Sequence, residues 1–319
     1  MEKAIRTLNV QFAYKPEIIN KKNLKKKSGF IVAGMGGSAL SAGLLKNAFP
    51  NLNIAVHRNY GLPNVPIKEL KDHLFIVSSY SGNTEEAIDA LSAARKAKLA
   101  VAVVATGGKL LKIAIDNKLP YVQMPDHGIQ PRMALGFSCI ALLKLMGKET
   151  ELKKMSALAT LDSDKFEAAG RTLAGKLLGK IPVVYASDKN GSLAYTWKIK
   201  FNETAKIPAF SNIFPELNHN EMVGFSGEGE TKKITEKFFF LFLRDKKDDS
   251  RVRRRMEVLE DVFKDLRLDF ATIDSDGKND PERIFSSLML ADWVTYYLAY
   301  KYGADPEAVP LVEKFKKLL

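Results

Sequence analysis

From Gly29 onward, short apolar runs that end in small or polar residues alternate with amphipathic stretches, and this constrains the fold more than anything else in the chain. GFIVAGMG reads as a strand closing on glycines, and SALSAGLLKNAF then spaces its apolar residues for a helix. LNIAVHR is a second strand and HLFIVSSYSGN a third, followed by the helix TEEAIDALSAARKA. LAVAVVATGG and KLPYVQMP supply two more strands, and RMALGFSCIALLKLMG another helix. Strands and helices alternating at this spacing predict an α/β fold: a mostly parallel sheet flanked by helices.

The pattern fades in the charged helical stretch KETELKKMSALATLDSDKFEAAGRTLAGKL, which reads as a connector, and then starts again. KIPVVYASDKNGSLAYTWKIKFNETAK repeats the order strand, polar loop, Gly-Ser, helix of FIVAGMGGSALSAGLLKN, with Gly37-Ser38 and Gly191-Ser192 at comparable places. KFFFLFLRD, the helix DDSRVRRRMEVLEDVFKDL, the strand LDFATID and the long helix DPERIFSSLMLADWVTYYLAYKYG complete it. At 319 residues the chain suits two domains, expected at 1–150 and 151–319. A ligand site is expected between such lobes, at the C-terminal ends of strands.

Composition excludes several classes. Apolar residues make up 46% and charged residues 27%, as in a soluble globular protein. No run approaches the ~18 uninterrupted apolar residues of a membrane-spanning helix, so no membrane association is expected. The N-terminus lacks a signal peptide's apolar core, and Cys139 is the only cysteine, so a cytoplasmic protein is expected. The net charge of +12 suits anionic partners. Its lysines are dispersed, with the densest cluster between Lys21 and Lys27, and no nucleic-acid motif accompanies them, so no nucleic-acid partner is expected.

LFIVSSYSGNTEEAIDAL is the most informative segment. A buried strand delivers Ser79, Tyr80, Ser81, Gly82, Asn83 and Thr84 onto a helix start with Glu85 and Glu86 in its first turn. Free N–H groups and the helix dipole favour an anion there, and the hydroxyls of Ser79, Ser81 and Thr84 can donate to it. An ordinary capped helix, with Asn83 or Thr84 as N-cap, fits the same residues. The loop has neither the lysine of a nucleotide P-loop nor GxGxxG spacing, so a small-molecule monophosphate fits better than a nucleotide.

GMGGS at 34–38 followed by SSYSGNTEEA at 78–87 resembles the SIS (sugar isomerase) domain, whose SxSGxT loop binds sugar phosphates. The resemblance implies two SIS-type lobes and phosphate contacts from Gly37, Ser38, Ser79, Ser81 and Thr84. Amination enzymes and sugar-phosphate-binding regulators carry this domain as well. Three further segments resemble the bifunctional phosphoglucose/phosphomannose isomerases: IQPRMALGF at 129–137, FNETAKIPAF at 201–210 and FPELNHNEMVGF at 214–225. The resemblance runs in consistent order from about Gly29 to the C-terminus.

Moving a proton between C1 and C2 of a sugar phosphate needs one base that reaches both carbons. It also needs a positive group beside the enediolate oxygens, and an acid–base pair to open the ring. Taken alone, Glu203 at a helix end would be a solvated residue; the resemblance makes it the base. Arg132, after Pro131, can stabilise enediolate charge because a guanidinium keeps its proton; a plain salt bridge is the alternative. His219, in the polar island NHNE, titrates near working pH and can pass protons during ring opening. The resemblance implies that it enters the neighbouring subunit's site in a homodimer. Glu221 can orient it or cap a helix.

His57 and His73 flank strand ends and read as structural, while His127 stays undecided. The family ends in a helix whose lysine joins the histidine, which places Lys316 in VEKFKKLL at the site, with Lys314 and Lys317 as competitors. Four scattered histidines and one cysteine in no ligand spacing predict no metal, and the scheme needs no cofactor.

Thr204, Phe225 and Phe137 stand where the family commonly has Asn, Trp and Tyr; none removes a catalytic group. Three functions fit: an isomerase for both glucose and mannose 6-phosphates, one restricted to a single sugar phosphate, or a non-catalytic sugar-phosphate sensor. The presence of Glu203, Arg132 and His219 favours an enzyme.

Overall fold

The computed structural model describes residues 1–316 and Leu318. The chain forms two compact units, one of Arg6–Asp162 and one of Met1–Ile5 with Ser163–Leu319.

The Arg6–Asp162 unit holds five strands: β1 (Gly29–Ala33), β2 (Asn53–His57), β3 (His73–Ser79), β4 (Ala100–Ala105) and β5 (Tyr121–Gln123). They pair in the order β2-β1-β3-β4-β5, and every pairing is parallel. All five residues of β1 are buried, as expected of a strand covered on both faces. One face carries Ile31, Phe75, Val77 and Val103 into a cluster with Ala90, Leu91 and Leu110. The helices Gly36–Ala48 and Leu135–Leu145 pack together, and the second is buried nearly all round, which its apolar sequence requires. The alternation reading missed the helix Gly108–Asp116 between β4 and β5, whose apolar residues Leu110, Leu111 and Ala114 do sit at helical spacing.

The second unit holds β6 (Ile181–Ser187), β7 (Phe210–Phe214), β8 (Phe238–Arg244) and β9 (Asp269–Asp274), all parallel in the order β7-β6-β8-β9. Its core is aromatic: Tyr185, Phe214, Phe240, Phe242 and Phe263 form one cluster. The 22-residue helix Asp280–Lys301 packs on the helix Glu167–Lys176, where Gly170 lies against Trp293 and the indole donates to the Ser163 carbonyl at 2.9 Å. The sequence reading missed β7, an edge strand without alternating burial whose first residue, Phe210, is exposed. The stretch read as a connecting helix breaks at 157–166, where Asp162, Ser163 and Asp164 disfavour helix.

The α/β architecture of two parallel sheets flanked by helices agrees with the expectation. Among the described residues no helix is long and apolar enough to cross a membrane.

Candidate functional site

In the first unit, β3 ends at Ser79 and, after five intervening residues, the helix Glu85–Lys96 begins. Thr84 occupies the N-cap position in extended conformation, yet its side chain makes no capping bond. Its hydroxyl instead lies 2.8 Å from Ser79 Oγ, and Ser79 Oγ accepts from the Gly82 N–H at 3.1 Å. Ser81 Oγ accepts from the Asn83 N–H at 3.2 Å and is exposed. Thr84 at the N-cap and Glu85 and Glu86 in the first turn agree with the capped-helix alternative, but neither Asn83 nor Thr84 closes the helix start with its side chain.

Gly82 is at φ +69°, and a Cβ there would lie 1.8 Å from the Gly107 carbonyl oxygen. Only glycine fits both that backbone conformation and that contact. The turn after β4 thus braces the loop from behind: Thr106 Oγ1 donates to the Tyr80 carbonyl at 2.7 Å, Lys109 N–H to Asn83 Oδ1 at 3.0 Å, and Leu110 N–H to the Gly82 carbonyl at 2.8 Å. The sequence reading did not assign this support to the 106–110 turn, although Gly107-Gly108 directly after a strand was a signal for it.

The GMGGS junction after β1 adjoins the same loop. Ser38 is buried, and its Oγ accepts from the Tyr80 N–H at 2.9 Å. Burial, helped by the Asp126 carboxylate, pushes the Tyr80 phenol above its ordinary pKa. A Cβ on Gly37 would sit 2.5 Å from the Pro131 carbonyl and 2.9 Å from the Arg132 nitrogen, so glycine allows the Arg132 backbone to approach the start of the helix Gly36–Ala48. Arg132 is buried, in a one-turn segment Pro131–Met133 that precedes the helix Leu135–Leu145 rather than opening it. Buried Gln11 fixes that segment: its Nε2 donates to the Met133 carbonyl at 2.6 Å and its Oε1 accepts from the Gly136 and Phe137 N–H groups. No sequence signal marked Gln11, which lies before the alternating pattern begins. Gly37, Ser38, Ser79, Ser81, Thr84 and Arg132 thus all occur in this one unit, in contiguous loops.

Glu203, His219 and Lys316 belong to the other unit. The helix Gly191–Lys200 does not end before Glu203 but widens into a π-turn, Phe201–Ala205, closed by Lys206 in left-handed conformation. Such widened turns recur at functional sites. Thr204 and Ala205 are buried while Glu203 is only half-buried. The Lys206 ammonium donates to the Glu203 carbonyl, and Asn202 Nδ2 to the Ile207 carbonyl at 3.0 Å. Just before the turn, Lys200 forms a fully buried ion pair with Asp292 of the helix Asp280–Lys301, a link between distant segments that no local pattern announces.

His219 is exposed at the end of the short turn Glu216–His219. Glu221 is held by the sheet rather than by its neighbours in sequence. It neither contacts His219 nor caps a helix; its carboxylate accepts from Tyr185 Oη at 2.7 Å and from Asn212 Nδ2, while Asn220 Oδ1 accepts from the Glu221 N–H. Lys316 ends the exposed helix Pro310–Lys316, with Lys314 also exposed; Lys317 lies outside the described residues.

His57 Nε2 is 3.2 Å from the Gly61 carbonyl and His73 Nδ1 is 2.8 Å from the Glu69 carbonyl, both local backbone contacts. His127 stacks on Phe137 at 5.3 Å. Among the described residues no group of three or more histidine, cysteine or acidic side chains could hold a metal ion.

Residues 166–319 match the bacterial phospho-glucose isomerase C-terminal SIS domain. Over 306 residues the chain is 30% identical to the bifunctional phosphoglucose/phosphomannose isomerase of Aquifex aeolicus, covering 93% of this chain and 92% of that one. With the protein of the same name from Caldicellulosiruptor bescii, identity is 34% over 309 residues, covering 91% and 88%. The tagatose-6-phosphate ketose/aldose isomerase of Escherichia coli shares the fold at a TM-score of 0.67 and 16% identity, over 97% of this chain and 95% of that one.

Proposed function

This chain belongs to the bifunctional phosphoglucose/phosphomannose isomerase family, and we propose on that premise that it interconverts glucose 6-phosphate and mannose 6-phosphate with fructose 6-phosphate through a cis-enediolate. The observation that carries the proposal is an open helix start lined by hydroxyls, in loops contiguous with a buried arginine.

The phosphate is held by the Ser79, Ser81 and Thr84 hydroxyls, the backbone of Gly37 and Ser38, and the N–H groups that begin the helix Glu85–Lys96. Glu203 carries the proton between C1 and C2, which a single carboxylate can do because the cis-enediolate presents both carbons on one face. Arg132 stabilises the negative charge that develops on the enediolate oxygens. His219 and Lys316 move protons between the ring oxygen and O1 as the pyranose opens. His219 does so in the neighbouring subunit of a homodimer, which its exposure permits. None of these steps requires a metal, a cofactor, nucleic acid or a membrane, and a cytoplasmic location suits the substrates.

A coupled assay of fructose 6-phosphate formation from each aldose separately, in EDTA, tests the proposal. Comparable turnover of both aldoses is expected. Turnover of one alone would leave the mechanism and remove dual specificity. Binding without turnover would make the protein a sensor, and loss of activity in EDTA with recovery on adding metal would overturn the mechanism.

A further inference from the structure

The segment that carries His219 has little interior of its own: no residue of Glu221–Phe225 is buried, and His219 and Asn220 are exposed. Met222 and Phe225 pack partly buried against the aromatic cluster, and closer to His219 the turn is fixed at two points, each two residues from it. On one side Leu217 is fully buried in the aromatic cluster with Tyr185 and Phe214. On the other, Glu221 reaches back to the sheet, where Oε1 accepts from Tyr185 Oη at 2.7 Å and Oε2 accepts from Asn212 Nδ2.

Tyr185 and Asn212 are register partners on the adjacent parallel strands β6 and β7, so their side chains leave the same face side by side. One carboxylate can therefore bridge both donors. Tyr185 cannot follow a moving loop, because its ring is packed edge-on against Phe214 at 6.0 Å and Phe242 at 5.6 Å. Burial and the neighbouring Glu221 charge both keep the phenol protonated, hence a donor. Asn220 ties the turn further, donating to Glu216 Oε1 at 2.8 Å and accepting from the Glu221 N–H at 2.6 Å.

We propose that Glu221, bridged between Tyr185 and Asn212, is a positioning residue that holds His219 at a fixed height above the β6–β7 edge. The proposal rests on the assignment of His219 to ring opening. Hydrogen bonds to charged groups are worth roughly 1.5–3 kcal/mol, which corresponds to about tenfold or more in the population of the positioned loop.

Three variants of the full chain test it: Glu221→Ala, Glu221→Gln and the near-isosteric Tyr185→Phe. Hydrogen exchange of the amides at 216–225 should quicken about tenfold in Glu221→Ala and Tyr185→Phe. Turnover of ring-closed aldose phosphates should fall about tenfold with KM unchanged, and Glu221→Gln, which keeps an acceptor for Tyr185, should recover part of the loss. In a His219→Ala background, Glu221→Ala should cost nothing more, since a residue acting through another is silent once that other is gone. Unchanged exchange in both Glu221→Ala and Tyr185→Phe would overturn the anchor. An additive loss in the His219→Ala background would overturn the link to His219 and leave Glu221 purely structural. If His219→Ala alone leaves turnover intact, the assignment of His219 fails, while the exchange measurement still decides whether Glu221 anchors the segment.

Discussion

The junction after β3 and the junction after β8 occupy the same place in their sheets, each on the strand beside β1 or β6, and they have opposite fates. After β3, Ser38 of the neighbouring junction accepts from a backbone N–H, which leaves its own hydrogen available, and the helix start has no side-chain cap. After β8, Asp248 Oδ1 accepts from Ser187, at the end of the neighbouring β6, at 2.7 Å, and Asn190 donates to the same oxygen. Asp249 caps the following helix, Ser250–Asp265, by accepting from the Arg251 N–H at 2.8 Å. Buried Asp245 pairs with Lys189 at 3.1 Å and with Arg283 at 3.3 Å. Carboxylates at the second junction thus consume hydroxyl and amide donors, whereas the first junction holds no carboxylate acceptor for its hydroxyls among these bonds. One architecture yields an uncapped, hydroxyl-lined helix start or an internal brace according to whether its loop side chains are hydroxyls or carboxylates.

The sharpest way to break this contrast is to separate binding from chemistry. Glu203→Gln should lower kcat by about 10²–10⁴-fold while calorimetric binding of the sugar phosphate stays unchanged, because the proposed phosphate contacts do not include this carboxylate. Joint loss of both would end that division. Next in size is Asp245→Ala, which removes one carboxylate shared by Lys189 and Arg283 while Arg283 keeps Asp280, and should destabilise the fold by about 1–3 kcal/mol in denaturant unfolding, with KM untouched in the folded fraction. Thr84→Ala and Ser81→Ala should each raise KM about tenfold, whereas Ser187→Ala, which removes a donor to Asp248 of the second junction, should leave KM alone. A KM rise from Ser187→Ala would show that the second junction takes part in binding.

The smallest effect concerns acid. The Arg251 side chain, with its N–H, holds the Asp249 carboxyl down to about 2. A group depressed in the folded state stabilises above its unfolded pKa of about 4 and loses that contribution as pH falls towards its folded value. Asp249→Asn keeps the cap but cannot titrate, so its acid-unfolding curve should be shallower than that of the parent between about pH 4 and 2.

Much of the site was legible because its parts are local in sequence. Ser79 to Thr84 follow a buried strand and open a helix, and that order alone places hydroxyls and free N–H groups together. Arg132, Glu203 and His219 became candidates only through the similarity of their segments to a known family, since each residue taken alone fits a solvated or salt-bridged side chain. Gln11, which braces residues some 125 positions away, and Asp292, which neutralises Lys200, left no trace in local pattern. Glu221 was noticed, but its partners were not, because Tyr185 and Asn212 meet only through strand register. The strand β7 escaped notice for a related reason: pairing on one side only, it needs no alternating pattern to be stable.

The sequence by itself determined the α/β class, the two lobes and the strand–loop–helix order of the hydroxyl-rich segment, because periodicity, glycine placement and helix-start chemistry act over fewer than about ten residues. Tertiary structure alone decided which loops support one another: the 106–110 turn beneath Gly82, Gln11 beneath Arg132's segment, Lys200 with Asp292 before the π-turn, and the Tyr185–Glu221–Asn212 bridge. These are contacts between residues far apart in the chain, fixed by sheet order and register, and no short-range rule encodes them.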